Sequence, residues 1–174
     1  AGIASRRAVE EMILQGRIAV NGRLVTSLPC FVAPGDAVQL DGQTLCKRPS
    51  RLVHILLNKP RGVVCTQRDH PGSSRPRATD LVPPAPARLY CVGRLDEDST
   101  GLLILTNDGE LTHRLTHPRY GVPKTYIARV AGRVRPDEAQ ALRRGMSLDG
   151  KVTAPAGVRV LRHSAEESLV EVCI

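Results

Sequence analysis

One acidic side chain, Asp96, stands between Arg94 and a polar loop that closes on Gly101, directly ahead of the apolar run Leu102 to Leu105. A carboxylate beside an anomeric carbon can attack it or stabilise positive charge there, as in glycoside chemistry. Arg94, two residues earlier, can keep that carboxylate ionised and can also pair with a phosphate. On spacing alone a turn-forming Asp is the commoner reading of such a position. Asp98 is the rival acid, but glycosidases set their two acids across a cleft, which residues two apart rarely reach. It reads as loop structure. His113 and His117 have the i, i+4 spacing of a metal pair on a helix. No Glu lies beside His113 and no third ligand is evident, so no metal is expected.

Aromatic rings make up 2% of the chain: Phe31, Tyr90, Tyr120 and Tyr126. Tyr126, in Lys124-Thr125-Tyr126, offers a ring and a hydroxyl, which suits a base turned out of its stack. The alternative is a core tyrosine with a satisfied hydroxyl. Tyr90 reads as packing.

These side chains need rigid elements to hold them. Leu102 to Leu105 is long enough for a buried strand, and such a strand requires a fixed entry, so the Asp96 loop should have one conformation. Val53 to Leu57 reads as another buried strand, ended by Pro60 and Gly62. Asn107-Asp108-Gly109 starts a helix that Pro118 stops. Residues 124–130 read as a strand, Pro136 and Gly145 bracket a helix, and Val152 to Val160 and residues 169–174 read as two further strands. In the last, Val170, Val172 and Ile174 share a face. Nearer the start, Ser5 caps a helix over 6–15, with Val9, Met12 and Ile13 on one face and Gly16 as its stop. Asn21-Gly22 is a strong hairpin signal, and Asp41-Gly42 suggests a second small strand pair. Residues 67–88 hold five prolines and form a long irregular loop. Strands and helices alternate without a βαβ rhythm, which predicts an α+β fold with a mostly antiparallel sheet and flanking helices.

Lys and Arg number 25 against 17 acids, for a net charge of +8 and a pI near 9.8. Residues 1–50 carry six Lys/Arg and four acids, so the positive charge is spread along the chain rather than held in a tail. That favours a polyanionic partner over a broad track. Five widely spaced cysteines, with no Cys-x-x-Cys pair, read as free thiols of a reducing compartment. No apolar run approaches a membrane span, and a cytoplasmic protein is expected.

Gly93-Arg94-Leu95-Asp96-Glu97-Asp98-Ser99-Thr100-Gly101 and the following Leu102 to Gly109 resemble, almost position for position, the signature loop of the RsuA/RluB-type rRNA pseudouridine synthases. Asn58-Lys59-Pro60-Arg61-Gly62, Thr79-Asp80-Leu81-Val82-Pro83 and Lys124-Thr125-Tyr126 resemble three more segments of that family. Ser5-Arg6-Arg7-Ala8 and Gly16 to Gly22 resemble the small RNA-binding domain named after ribosomal small-subunit protein four. The resemblance implies an S4-like domain over 1–46, a linker over 47–51 and a catalytic domain over 52–174. It implies isomerisation of a uridine in ribosomal RNA by a cofactor-free mechanism, with Asp96 as the catalytic carboxylate and Tyr126 against a flipped uridine. Arg94, Lys59, Lys124, Arg6, Arg7, Arg17 and Arg23 are then the expected RNA contacts, and the protein is expected to be a monomer. A solvated basic helix is the plainer reading of Arg6 and Arg7. In the family a segment rich in Gly, Arg and Asn, whose basic residue pairs with the catalytic Asp, would begin beyond Ile174. With Ala1 in place of Met and an apolar strand at the end, the chain reads as a fragment cut at both ends. The competing reading is an RNA-binding or ribosome-assembly factor without catalysis. A nucleoside-processing hydrolase lacks a second placed acid or a metal set.

Overall fold

The computed structural model describes residues 3–45, 51–66, 75–85 and 87–174. Residues 47–50 of the expected linker, and 67–74 and 86 of the expected long loop, lie outside them. The chain divides into two compact units, Ala1–His113 and Arg114–Ile174.

In the first unit, helix α1 (Arg6–Leu14) starts at Ser5, whose hydroxyl accepts from the Ala8 N–H at 3.3 Å. Ile13 is buried on the expected face. Strands β1 (Ile18–Val20) and β2 (Arg23–Val25) turn through Asn21 at φ 51° and Gly22 at φ 78°. That left-handed pair is what a two-residue hairpin needs, and Asn-Gly adopts it at least cost. Asp41 and Gly42 repeat the geometry between β3 (Val38–Leu40) and β4 (Gln43–Thr44), in a four-stranded antiparallel sheet of order β2-β1-β3-β4. The Asn21 side chain donates to Asp36 at 2.8 Å and accepts from the Ala37 N–H at 2.9 Å, stitching the first turn to the approach of β3.

Strands β5 (His54–Lys59), β6 (Tyr90–Val92) and β7 (Gly101–Thr106) form a second antiparallel sheet with β7 in the centre. Register places Ile55 opposite Leu105 and Leu57 opposite Leu103, on the face that packs with Val63, Ala78 and Leu89. Each fully buried leucine contributes about 1.5–3 kcal/mol, so Leu103 and Leu105 anchor the strand at the exit of the Asp96 loop. The run Leu102 to Leu105 is therefore not buried throughout. Leu102 is 70% exposed and Leu56 71%, because an antiparallel strand sends alternate residues to opposite faces. Helix α2 (Gly109–Thr116) follows, and the division between units falls within it.

In the second unit, β8 (Thr125–Ala131), helix α3 (Pro136–Arg144), the short pair β9 (Ser147–Leu148) and β10 (Lys151–Val152), β11 (Gly157–His163) and β12 (Glu167–Cys173) follow in order. The sheet runs β11-β12-β8, antiparallel throughout. Helix α3 covers one face, with Ala139 and Leu142 against Val158, Val160, Val170 and Val172. Buried Ser168 is satisfied: its hydroxyl donates to Gly132 O at 2.8 Å and accepts from the Val134 N–H at 2.9 Å. The strand expected over 152–160 is two strands, since Pro155 has no N–H for a ladder between them. Ile174 lies beyond β12 and is exposed, unlike Val170 and Val172. The architecture is the expected α+β arrangement of antiparallel sheets with helices.

Candidate active site

The Asp96 loop is held by contacts on both sides of the acid. Leu95 packs against the buried cluster of Val63, Leu103 and Leu105, and its N–H points at Cys65 Sγ, 3.4 Å away. Inward-facing Leu95 leaves its neighbours Arg94 and Asp96 exposed. The Asp96 carbonyl accepts from the Ser99 N–H at 3.1 Å, which closes a tight turn. Glu97 is the other clamp. Its carbonyl accepts from the Gly62 N–H at 3.0 Å and from Lys59 Nζ at 3.2 Å, and its carboxylate meets Arg75 at 2.8 Å. The Asp96 carboxylate itself has no hydrogen bond or ion pair among the described residues. A charged oxygen pair, exposed on a loop that cannot drift, is available to an incoming ligand.

Lys59 does something other than expected. It is fully buried, and its ammonium donates to Val63 O at 2.8 Å, Pro60 O at 3.0 Å and Glu97 O. A buried ammonium must be paired or hydrogen-bonded, and three carbonyls use all three of its protons. Lys59 therefore ties the 59–63 turn to the Asp96 loop and presents nothing to a phosphate. Arg94 makes no ion pair with Asp96 among the described residues. Its guanidinium is left for solvent or a ligand.

The signature residues after β7 are structural. The Thr106 hydroxyl donates to Val53 O at 2.7 Å and accepts from the Asp108 N–H at 3.0 Å. The Asn107 amide accepts from the Val53 N–H and donates to Arg51 O, completing the start of β5. Asp108 caps α2, with one carboxylate oxygen 3.0 Å from the N–H groups of both Glu110 and Leu111. In the segment before β6, Arg77 grips Asp80 at 2.7 Å and holds its carboxyl below the usual range. Under the loop, burial pushes the Cys91 thiol up to about 12, and the adjacent Cys65 thiol adds to the effect.

In the second unit Tyr126 lies on β8 opposite Val172, on the face that α3 covers, and is 40% exposed. The Lys124 ammonium is exposed and donates to Val122 O at 2.7 Å. His117 does not sit on α2 with His113. It precedes the turn Pro118–Tyr120, and its Nδ1 accepts from the Arg119 N–H at 3.2 Å. No group of three or more His, Cys, Asp or Glu side chains among the described residues could hold a metal ion.

Of the N-terminal arginines, Arg7 and Arg23 are exposed and without a carboxylate partner among the described residues. Arg6 makes an exposed i, i+4 pair with Glu10 at 2.9 Å, a link weak enough to exchange for a phosphate. Arg17 differs from expectation: its guanidinium is held by both oxygens of Asp41, with Nε at 2.9 Å, and it braces β1 against the β3–β4 turn. That contact holds the Asp41 carboxyl below its ordinary range.

A signal for Lys59 was present in the sequence. Counting by twos from Ile55 and Leu57 puts Lys59 on the core face. Nothing comparable marked Glu97, whose backbone carbonyl does the clamping, or Cys65, whose sulfur meets Leu95 from 30 residues away in the chain.

The RNA pseudouridylate synthase family profile matches residues 53–174, and the S4 domain profile matches residues 1–38. The chain belongs to the RNA pseudouridylate synthase family. It is 41% identical over 173 residues to a protein of Aquifex aeolicus named as an uncharacterised RNA pseudouridine synthase, covering 99% of this chain and 68% of that one. It is 42% identical over 161 residues to ribosomal large subunit pseudouridine synthase B of Bacillus subtilis, covering 92% of this chain and 64% of the relative. The chain thus spans about two thirds of the length of these curated relatives. A crystal structure of a pseudouridylate synthase superposes with a TM-score of 0.65 at 29% identity, covering 98% of this chain and 71% of the other.

Proposed function

We propose that the protein converts a uridine of large-subunit ribosomal RNA to pseudouridine, with Asp96 as the reacting carboxylate. The observation that carries this is the state of Asp96: exposed and with no partner for its carboxylate among the described residues, on a loop fixed by Leu95, Glu97 and Lys59. A structural turn residue would use its carboxylate on its own backbone, as Asp108 does. The reaction breaks the bond from the base nitrogen to the sugar, turns the base and joins its carbon 5 to the same sugar carbon. A fixed carboxylate beside that carbon can attack it or balance its positive charge. The uridine must first leave its stack. Arg94, Arg6, Arg7 and Arg23 supply charge for phosphates, which adds affinity and orientation without reading sequence. The large-subunit assignment is supported by the name of the Bacillus subtilis relative. With ribosomal RNA as substrate, the protein works where ribosomes are assembled, in the cytoplasm.

Asp96→Asn tests this cleanly, because no internal contact of the carboxylate is lost. Turnover should fall on the order of a thousandfold or more, as for loss of a reacting group, while RNA affinity is kept or improved. Tritium release from uridine labelled at carbon 5, at near the parental rate in the Asn variant, would show that Asp96 is only a loop residue. A non-catalytic RNA-binding factor would release no tritium even as the parent, and it has no use for a bare carboxylate on an RNA-binding surface.

A further inference from the structure

The two cores contain no aromatic ring among the described residues: Phe31 is 87% exposed, Tyr120 44% and Tyr126 40%, and Tyr90 is only half-buried. Rings offer the largest apolar area of any side chain, and cores ordinarily use them. Rings kept outside are suited to contacts with a ligand.

Tyr120 is the one presented with a cation already in place. It ends the short 3-10 turn Pro118–Tyr120, and the Arg119 guanidinium lies 5.2 Å from its ring centroid. His117 meets the same ring edge-on, with centroids 6.3 Å apart and planes at 77°. The backbone beneath is fixed. Tyr120 N–H donates to His117 O at 3.1 Å, Gly121 N–H donates to Pro118 O at 3.0 Å, and His117 Nδ1 accepts from the Arg119 N–H. Gly121, at φ 56°, makes the left-handed exit that favours glycine.

The local stretch of chain carries charge of one sign. Residues 114–124 include Arg114, Arg119 and Lys124 and no acid. Elsewhere in the same unit, Arg129, Arg135, Arg159 and Arg162 all meet carboxylates. Arg119 meets none among the described residues. A guanidinium poised over an exposed ring, on a basic stretch, fits a ligand with a flat π face joined to an anion. A nucleotide has both.

We infer that the Arg119–Tyr120 turn is a nucleotide subsite, where an unpaired base of the RNA stacks on Tyr120 and Arg119 pairs with its phosphate. This rests on RNA being the substrate, and it adds a contact separate from the reacting uridine. Stacking tolerates any base, because every base has a π face. The subsite therefore selects for single-stranded character next to the target, not for sequence.

The experiment measures the affinity of the protein by fluorescence anisotropy for a single-stranded RNA of about ten nucleotides, within the range of single-strand site sizes, and for a fully paired RNA duplex. Tyr120→Phe keeps the ring and should bind both within twofold of the parent. Tyr120→Ala should weaken single-strand binding about 5- to 150-fold, equivalent to about 1–3 kcal/mol, and leave the duplex unchanged. Arg119→Gln should lower the slope of log affinity against log salt for the single strand by about 0.7. The Arg119 variant leaves the ring in place, so it serves even if Tyr120→Ala fails to fold by far-ultraviolet circular dichroism. Parental single-strand affinity in Tyr120→Ala, equal weakening on strand and duplex, or an unchanged salt slope in Arg119→Gln would each overturn the assignment. Parental RNA affinity in all the variants would point to a protein partner at this turn and would also overturn it. If the parent protein bound no RNA at all, the proposed function would fall with it. If the parent binds and Asp96→Asn loses only turnover, a negative result at Tyr120 removes the subsite alone.

Discussion

Replacing Lys59 with Met keeps the length of the side chain and removes the ammonium that joins the 59–63 turn to the Asp96 loop. Three carbonyls lose a donor, but not equally. Glu97 O keeps the Gly62 N–H at 3.0 Å, whereas Pro60 O and Val63 O lose their link to Nζ. Val63 O is buried, and a buried acceptor left unsatisfied costs about 1–3 kcal/mol; Pro60 is exposed, so its carbonyl can turn to water. Part of this returns, because a buried ammonium carries a desolvation cost that Met does not. The net expectation is about 1–2 kcal/mol of lost stability. For a chain of this size each kcal/mol is about 2–4 °C in melting temperature, so Tm should fall by roughly 2–8 °C. The urea midpoint should fall with the slope unchanged. Where both proteins are fully folded, tritium release should still be slower in the variant, because a loop freed by an ångström misplaces its carboxylate. A midpoint within about 0.5 kcal/mol of the parent, the size of an ordinary surface substitution, together with parental turnover, would refute the clamp.

Gly145 ends α3 at φ 91°, and a Cβ there would lie 2.3 Å from Thr153 O; Gly145→Ala should cost about 2 kcal/mol or more, and an unchanged melting curve would contradict this. With its thiol near 12, Cys91 is a thiolate in about one molecule in ten thousand at pH 8. Mass spectrometry after brief iodoacetamide treatment should find Cys91 far less labelled than half-exposed Cys30, and equal labelling would count against its burial. Asp36, Asp41 and Asp80 are held below the usual carboxylate range, first by hydrogen bonds from Asn21, Arg17 and Arg77. Their stabilisation is present above the unfolded value of about 3.9 and is lost as pH falls through the lower folded values. Asp80→Asn should therefore narrow the gap in urea midpoint between pH 6 and pH 3, and an identical gap would argue against the Arg77 contact in solution.

Local rules were enough where chemistry and backbone agree within a few residues. Ser5, Asn21-Gly22, Asp41-Gly42 and the Pro136–Gly145 bracket all mark real boundaries, because caps and left-handed turns depend on the residue itself. Partners far along the chain were not legible. Arg17 and Asp41 are 24 residues apart, and only the pairing of β1 with β3 brings them together. Lys59 was misread because its motif suggests a basic residue for RNA, while the period of two along β5 sends it inward with Ile55 and Leu57. The strand over 152–160 was drawn through Pro155 against the rule that proline interrupts a ladder. For the site, residue type marks Asp96 as a candidate. The loop that makes it one is fixed by main-chain groups of Glu97, Gly62 and Leu95, and side-chain identity says nothing of those.

The absence of rings from the two cores, among the described residues, also sets what light can report. The chain has three tyrosines and no tryptophan. Near-ultraviolet dichroism is strong where rings are locked in asymmetric packing and fades when that packing is lost. Apart from half-buried Tyr90, the locked side chains are aliphatic and optically silent, so unfolding should change the aromatic spectrum far less than it changes far-ultraviolet dichroism. Tyr120 and Tyr126 are exposed, where a stacked base would quench their emission. In this protein intrinsic fluorescence is a gauge of occupancy and a poor gauge of folding.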